Sequence, residues 1–126
     1  MGAMSDFDPP DDGWTVINDD PMPGGLGTSC RKRQRDRWIY GLQTRRDHAT
    51  RAGAVHGGIL VAFADHTLGC YVEAAAEGAP NVTIQLNTHF LAAVRPGEFL
   101  ELRGIIAVGQ RDVLAVDGIW RVFRAR

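Results

Sequence analysis

His56-Gly57-Gly58 opens an apolar run whose one carboxylate before Glu73 is Asp65. Two glycines at the first turn of a helix leave backbone N–H groups with no Cβ over them. Together with the positive end of the helix dipole, such donors favour a negatively charged oxygen. An acyl-transfer transition state develops one. Glycines at a helix start also serve close packing, so the pair alone decides nothing. Asp65 lies between Ala64 and His66, in the middle of the run, where a carboxylate is costly unless hydrogen-bonded or paired. His66, Thr67 or a nearby backbone group could satisfy it. A carboxylate half shielded from water is equally a candidate general base or nucleophile.

Spacing limits how these groups can cooperate. Eight helical steps from Gly57 to Asp65 are roughly 12 Å along the axis. A carbonyl held at Gly57 is therefore beyond the reach of the same chain's Asp65. Two copies with antiparallel helices would bring each Asp65 near the other's Gly57, giving a dimer with two composite sites.

The elements that must position these groups follow from pattern. GGILVAFADHTLGCYVEAAA, residues 57–76, carries apolar or small residues on every side and predicts one long buried helix, with Phe63 in the core or lining a pocket. Gly78 and Pro80 end it. RWIYGLQ, residues 37–43, mixes aromatic and β-branched residues and predicts a strand. In NVTIQLNTHFL, Val82, Ile84, Leu86, Thr88 and Phe90 alternate with polar residues, the period of a half-buried strand. RPG at 95–97 predicts a turn, FLELRGIIAV a second strand, GQRD a turn and VLAVDGIWRVF a third. A buried helix followed by an antiparallel meander predicts an α+β domain over residues 14–126, the sheet curled around the helix.

The remaining chain sets bounds. Its 126 residues suffice for one core. Residues 1–13 are rich in Asp, Pro and Gly and predict a disordered leader, with residues 1–3 a possible expression remnant before Met4. Trp14–Ile17 reads as a short anchoring segment. DDPMPGGLGTS lacks a following Lys-Ser/Thr pair and is a turn region, not a phosphate loop. A net charge of -1 gives no overall pull toward nucleic acid or an anionic membrane. No apolar run reaches the roughly 20 residues of a membrane span. Cys30 and Cys70, the only cysteines, fit a reducing cytoplasm. The basic run RKRQRDR, residues 31–37, reads as a solvated face or tail, or as a patch for a ligand's phosphates.

HGGILVAFADHTLG, from His56 to Gly69, resembles the signature of the PaaI-type hot-dog thioesterases, in which HGG opens the central helix and an acid follows nine positions after the histidine. The likeness extends through YGLQTRRDHATRAGAV upstream and VTIQLNTHFLAAVRPGE downstream, from about Trp38 to Phe99. It implies a hot-dog fold, an antiparallel sheet wrapped around one long central helix, and an acyl-CoA thioesterase releasing free acid and CoA from an acyl or aryl-acyl CoA, as a homodimer or dimer of dimers. By the same resemblance the Gly57 N–H polarises the thioester carbonyl, with Gly58 beside it, and Asp65 of the partner subunit attacks the carbonyl or activates water. His56 is similar to the histidine that shapes the helix start.

Thr83 matches a position where related enzymes place a hydroxyl to orient water, although strict alternation would set it on the face opposite Val82 and Ile84. Thr50 stands where many relatives carry an asparagine that helps polarise the carbonyl, and its hydroxyl has a shorter reach. The family has about four strands after the helix, against three found here, so FLELRGIIAVG is where two strands could be merged. The phosphates of coenzyme A make Arg45, Arg46, Arg51 and Arg95 candidate contacts. The four histidines show no metal spacing, no metal or cofactor is expected, and no GxSxG motif supports a serine hydrolase. A hot-dog hydratase and a non-catalytic acyl-CoA-binding module are the alternatives.

Overall fold

A computed structural model of the chain describes residues 13–17, 22, 26–103 and 105–123. The expected leader lies outside the described residues except for Gly13. The strands are β1 (Thr15–Val16), β2 (Ser29–Gln34), β3 (Arg37–Gln43), β4 (Asn81–Phe90), β5 (Phe99–Leu102), β6 (Ile106–Val108) and β7 (Arg111–Val122), with helix α1 (Gly57–Ala75) between β3 and β4. They form one sheet in the order β1-β2-β3-β5-β6-β7-β4, every neighbouring pair antiparallel. The chain leaves α1 and crosses to the far edge for β4, and the meander β5-β6-β7 fills the gap behind it. One long helix on an antiparallel sheet is the α+β architecture that the pattern predicts.

Core packing explains why α1 lies where it does. Leu60, Phe63, Ala64 and Thr67, spaced three and four apart, form its buried stripe. They meet Leu42, Leu100, Leu102, Ile106 and Leu114, none of which keeps exposed surface. Each such side chain contributes about 1.5–3 kcal/mol by burial. The rest of α1 is only partly covered, so the helix is buried along one stripe and not on every side. A second small cluster, Trp14, Cys30 and Ile39, packs separately and ties β1 onto the sheet, so Trp14–Ile17 is indeed an anchor. At the C-terminus of α1, Gly78 adopts φ +85° and returns its N–H to the Glu73 carbonyl at 2.8 Å, the left-handed cap expected there.

Three sequence expectations are corrected. FLELRGIIAV is two strands, β5 and β6, joined where the Arg103 N–H donates to the Ile105 carbonyl at 2.9 Å. Among the described residues four strands therefore follow the helix. The apolar flanks hid the turn, since Leu100, Leu102 and Ile106 are all core residues. RKRQRDR is strand β2 from Arg31 to Gln34 and then the turn into β3, not a tail. In GQRD only Gly109 and Gln110 make the turn, because Arg111 and Asp112 already pair with β6.

A fourth finding concerns β4. Its register with β7 shifts between Thr83 and Gln85, leaving Ile84 as an extra residue. Such a bulge resets which side chains face the core. Asn81 and Thr83 face α1 before the bulge, and Leu86, Thr88 and Phe90 continue that face beyond it. Val82 and Ile84 do not share it, and they are 49% and 61% exposed. The five residues predicted to line one face are thus split by the bulge.

Candidate active site

Both ends of the site are built by α1, and its entry is fixed first. His48 closes a short 3-10 turn at Arg46–His48 and is buried. Its carbonyl accepts from the His56 N–H at 2.8 Å, and the Val94 carbonyl accepts from the Val55 N–H at 2.7 Å. His56 is then the N-cap of α1, its Nδ1 accepting from the Gly58 N–H at 2.8 Å. An accepting Nδ1 places the proton of the neutral ring on Nε2. The Gly58 N–H is therefore engaged, which corrects the expectation that both glycines present open donors. No acceptor among the described residues takes up the Gly57 N–H. Each glycine also has a packing reason. A Cβ on Gly58 would lie 2.9 Å from His56 Nδ1, and one on Gly57 would lie 3.0 Å from the Phe90 ring.

Asp65 stands at the other end. Its Oδ1 accepts from the Thr83 hydroxyl at 2.5 Å, so its partner comes from β4 and not from His66 or Thr67. Thr67 spends its own hydroxyl on the Phe63 carbonyl, 2.8 Å away within the helix. The bulge at Ile84 is what turns Thr83 toward the acid. A hydroxyl that donates to a carboxylate holds one oxygen in place and leaves the other open.

The two ends open into different cavities. Asp65 lines one of about 390 Å³ with His66, Cys70, Asn81, Thr83 and Trp120. Gly57 lines another of about 360 Å³ with Val55, Phe90, Leu91 and Val94. One chain does not bring Gly57 and Asp65 together, in keeping with their helical separation.

The other candidate residues are placed as follows. Phe63 is fully buried and lines neither cavity. Thr50 is exposed, its hydroxyl accepting from the Ala52 N–H at 3.2 Å within its own turn. Arg95 is exposed next to Val94 of the Gly57 cavity, and its N–H donates to Glu98, whose carboxylate is also held by Arg111 at 2.9 Å. The Arg95 N–H and Arg111 together hold the Glu98 pKa below its usual range. Arg45 is paired with Asp47 at 3.0 Å, while Arg46 and Arg51 are exposed. Among the described residues no three His, Cys, Asp or Glu side chains cluster as metal ligands, and no helix is long and apolar enough to cross a membrane.

Trp120 was not foreseen. It pairs with Thr83 across the strands, and its indole ring leans on Gly118, where a Cβ would meet it at 2.7 Å. Its buried Nε1–H finds no hydrogen-bond partner among the described residues, beside the acid's cavity. Asn81 closes the same wall, donating to the Gly69 carbonyl at 3.3 Å. Sequence gave no signal for either, since both depend on the register set by the bulge.

Comparison with known proteins bears on the fold and the family. A Pseudomonas aeruginosa protein provisionally named an esterase is 31% identical over 88 residues, 68% of this chain and 66% of that protein. Among solved structures, a provisionally named thioesterase of Lactococcus lactis superposes with a TM-score of 0.63 at 14% identity, covering 88% of this chain and 92% of that one. Zebrafish thioesterase superfamily member 2 does so with 0.56 at 16%, covering 86% and 80%. These likenesses carry the hot-dog fold. The thioesterase superfamily model matches residues 52–117, more than half of the chain and the whole span from the helix entry to β7, and the chain belongs to that superfamily.

Proposed function

We propose that the protein is a PaaI-type acyl-CoA thioesterase in which the Gly57 N–H of one subunit and Asp65 of the partner subunit act on one thioester. The observation that carries this reading is Asp65, held by Thr83 midway along α1, with an unclaimed Gly57 N–H at the start of the same helix. Hydrolysis needs a donor for the developing oxyanion and an acid that attacks or activates water. A single chain keeps them in separate cavities, and an antiparallel second copy would join them.

The sheet edge supports such a copy. Among the described residues β4 pairs with β7 on one side only, so its other side offers backbone groups to a further strand. Val82, Ile84, Phe90 and Leu91 are each about half or more exposed around it. An apolar patch on an open edge strand marks an interface. A dimer, or a dimer of dimers, in a reducing cytoplasm fits these features together with Cys30 and Cys70, neither of which forms a disulfide.

In the proposed reaction the thioester carbonyl oxygen accepts from the Gly57 N–H. Either the Asp65 carboxylate attacks the carbonyl carbon and water hydrolyses the resulting anhydride, or the carboxylate takes a proton from water as the water attacks. Both routes break the C–S bond and release CoA thiol and free acid. His56 keeps the helix start in shape through Gly58, and Thr83 keeps the acid oriented.

The test is a panel of acyl- and aryl-acyl-CoAs with a thiol-trapping dye. Wild type should release thiol, and Asp65→Asn should fold yet turn over about 10²–10⁴-fold more slowly. Full activity in Asp65→Asn defeats the assignment. Thermal stabilisation by acyl-CoA without thiol release identifies a binding module instead.

A further inference from the structure

Five cations crowd the β2–β3 hairpin. Arg31, Lys32 and Arg33 lie on β2, Arg35 in the turn and Arg37 at the start of β3, against the single acid Asp36. The whole chain carries -1, so this charge is local. Arg45, Arg103 and Arg111 are paired with Asp47, Glu101 and Glu98. By contrast, no carboxylate among the described residues forms an ion pair with Arg31, Arg33, Arg35 or Arg37.

A solvated face requires no shared contact, yet two of these arginines meet one ring. Arg31 and Arg33 leave β2 on the same face, as residues two apart in a strand do. Their guanidinium carbons lie 4.4 and 5.2 Å from the centroid of the Trp38 ring. The negative face of the indole offsets the repulsion between the two cations. Each guanidinium retains N–H edges that can fork onto an anion. Arg31, Trp38 and Tyr40 border a cavity of about 260 Å³ whose other wall is Cys70 and Glu73 of α1. Cys70 and Glu73 also line the Asp65 cavity. Arg31 and the candidate acid thus flank one continuous stretch of α1, Cys70 lying roughly 7.5 Å along the axis from Asp65, and Arg33 joins Arg31 through Trp38. Glu73 is the carboxylate among the lining residues and disfavours an anion against the helix, which leaves the arginine rim as the place for one.

Resting on the thioesterase reading above, we infer that Arg31 and Arg33, held by Trp38, bind the phosphates of the nucleotide end of the CoA thioester. The 3′-phosphate, a monoester dianion, matches two guanidiniums better than the singly charged esters of the diphosphate bridge. The acyl end then lies toward Asp65, and the connecting arm runs past Cys70.

The experiment compares wild type with Arg31→Gln/Arg33→Gln on two thioesters of one acyl group, the CoA ester and the pantetheine ester, which lacks the nucleotide. The double variant should raise KM for the CoA ester about ten- to hundredfold, the size of one or two charge-assisted hydrogen bonds. It should also erase the preference for the CoA ester over the pantetheine ester. Calorimetric titration with adenosine 3′,5′-bisphosphate reads the same seat without turnover. Wild type should bind it, the double variant should not, and added salt should weaken it. Equal KM values for the CoA ester in both proteins, or no binding of the bisphosphate by wild type, overturn the inference. Bisphosphate binding lost in the variant, with no thioester cleaved by wild type, upholds the seat and sinks the thioesterase reading.

Discussion

Asp65 and Thr83 form a unit whose parts have different chemical duties. In the proposed reaction the carboxylate is the base or nucleophile, and the hydroxyl that donates to it at 2.5 Å sets its direction. Thr83→Ser keeps the donor and should keep most turnover. Thr83→Val keeps the shape and loses the donor, so kcat should fall about tenfold to a hundredfold, the range for a hydrogen bond to a charged group. Equal kcat in the two variants would show that the bond does not orient the acid. His48 behaves differently, because its site is structural. Burial, then the nearby Arg45 charge, hold its pKa below the ordinary 6.5, with Asp47 opposing. As pH falls through 6.5 the unfolded chain takes up that proton before the folded one does, so stability declines from 6.5 down to the lowered folded value. Urea unfolding between pH 8 and 5 should show this decline, and His48→Asn should flatten it. Because the His48 carbonyl holds the His56 N–H, the same acid range should loosen the helix start.

At the scale of elements, what was readable and what was not divides by the distance over which information acts. α1, β3 and the terminator at Gly78 are local events, set by composition and spacing within a few residues. β4 as an element was also readable, from its period of two. Its facing was not, since one extra residue at Ile84 inverts the alternation, and only pairing with β7 reveals it. Thr83 was therefore named from resemblance while strict alternation argued against it. The β5–β6 turn escaped for the opposite reason: core residues on both flanks mask a turn of three residues. Partners across space were likewise invisible, so neither the Thr83 bond nor the Trp120 wall could be foreseen. The role of Phe63 is decided at this scale. With no exposed surface and neighbours on α1 and the sheet, it belongs to the packing between layers. Phe63→Ala should lower unfolding free energy by about 3–5 kcal/mol. A loss of acyl selectivity with stability intact would instead make it a pocket residue.

For the whole molecule, the question is whether catalysis belongs to a chain or to a pair of chains. Two variants answer it. Gly57 is the first residue of α1, where proline is well tolerated, so Gly57→Pro deletes the N–H while leaving the helix a favourable start. His56, with ψ 132°, already has the extended backbone that a following proline requires. The Phe90 ring must yield slightly, and being 56% exposed it has room to do so. Gly57→Pro alone should lose about 10²–10³-fold in kcat, the usual effect of removing an oxyanion donor. Asp65→Asn alone should be comparably inactive. When the two proteins are unfolded together and refolded, a mixed dimer holds one site with both defects and one with neither. Random pairing makes half the dimers mixed, so about a quarter of wild-type activity should return. If each chain instead used its own Gly57 and Asp65, every site in the mixture would carry one defect and no activity would return. Recovery should also depend on the open edge: adding Ile84→Glu to both variants places charge on the exposed face of β4, and it should abolish dimers by sedimentation and the regained turnover with them.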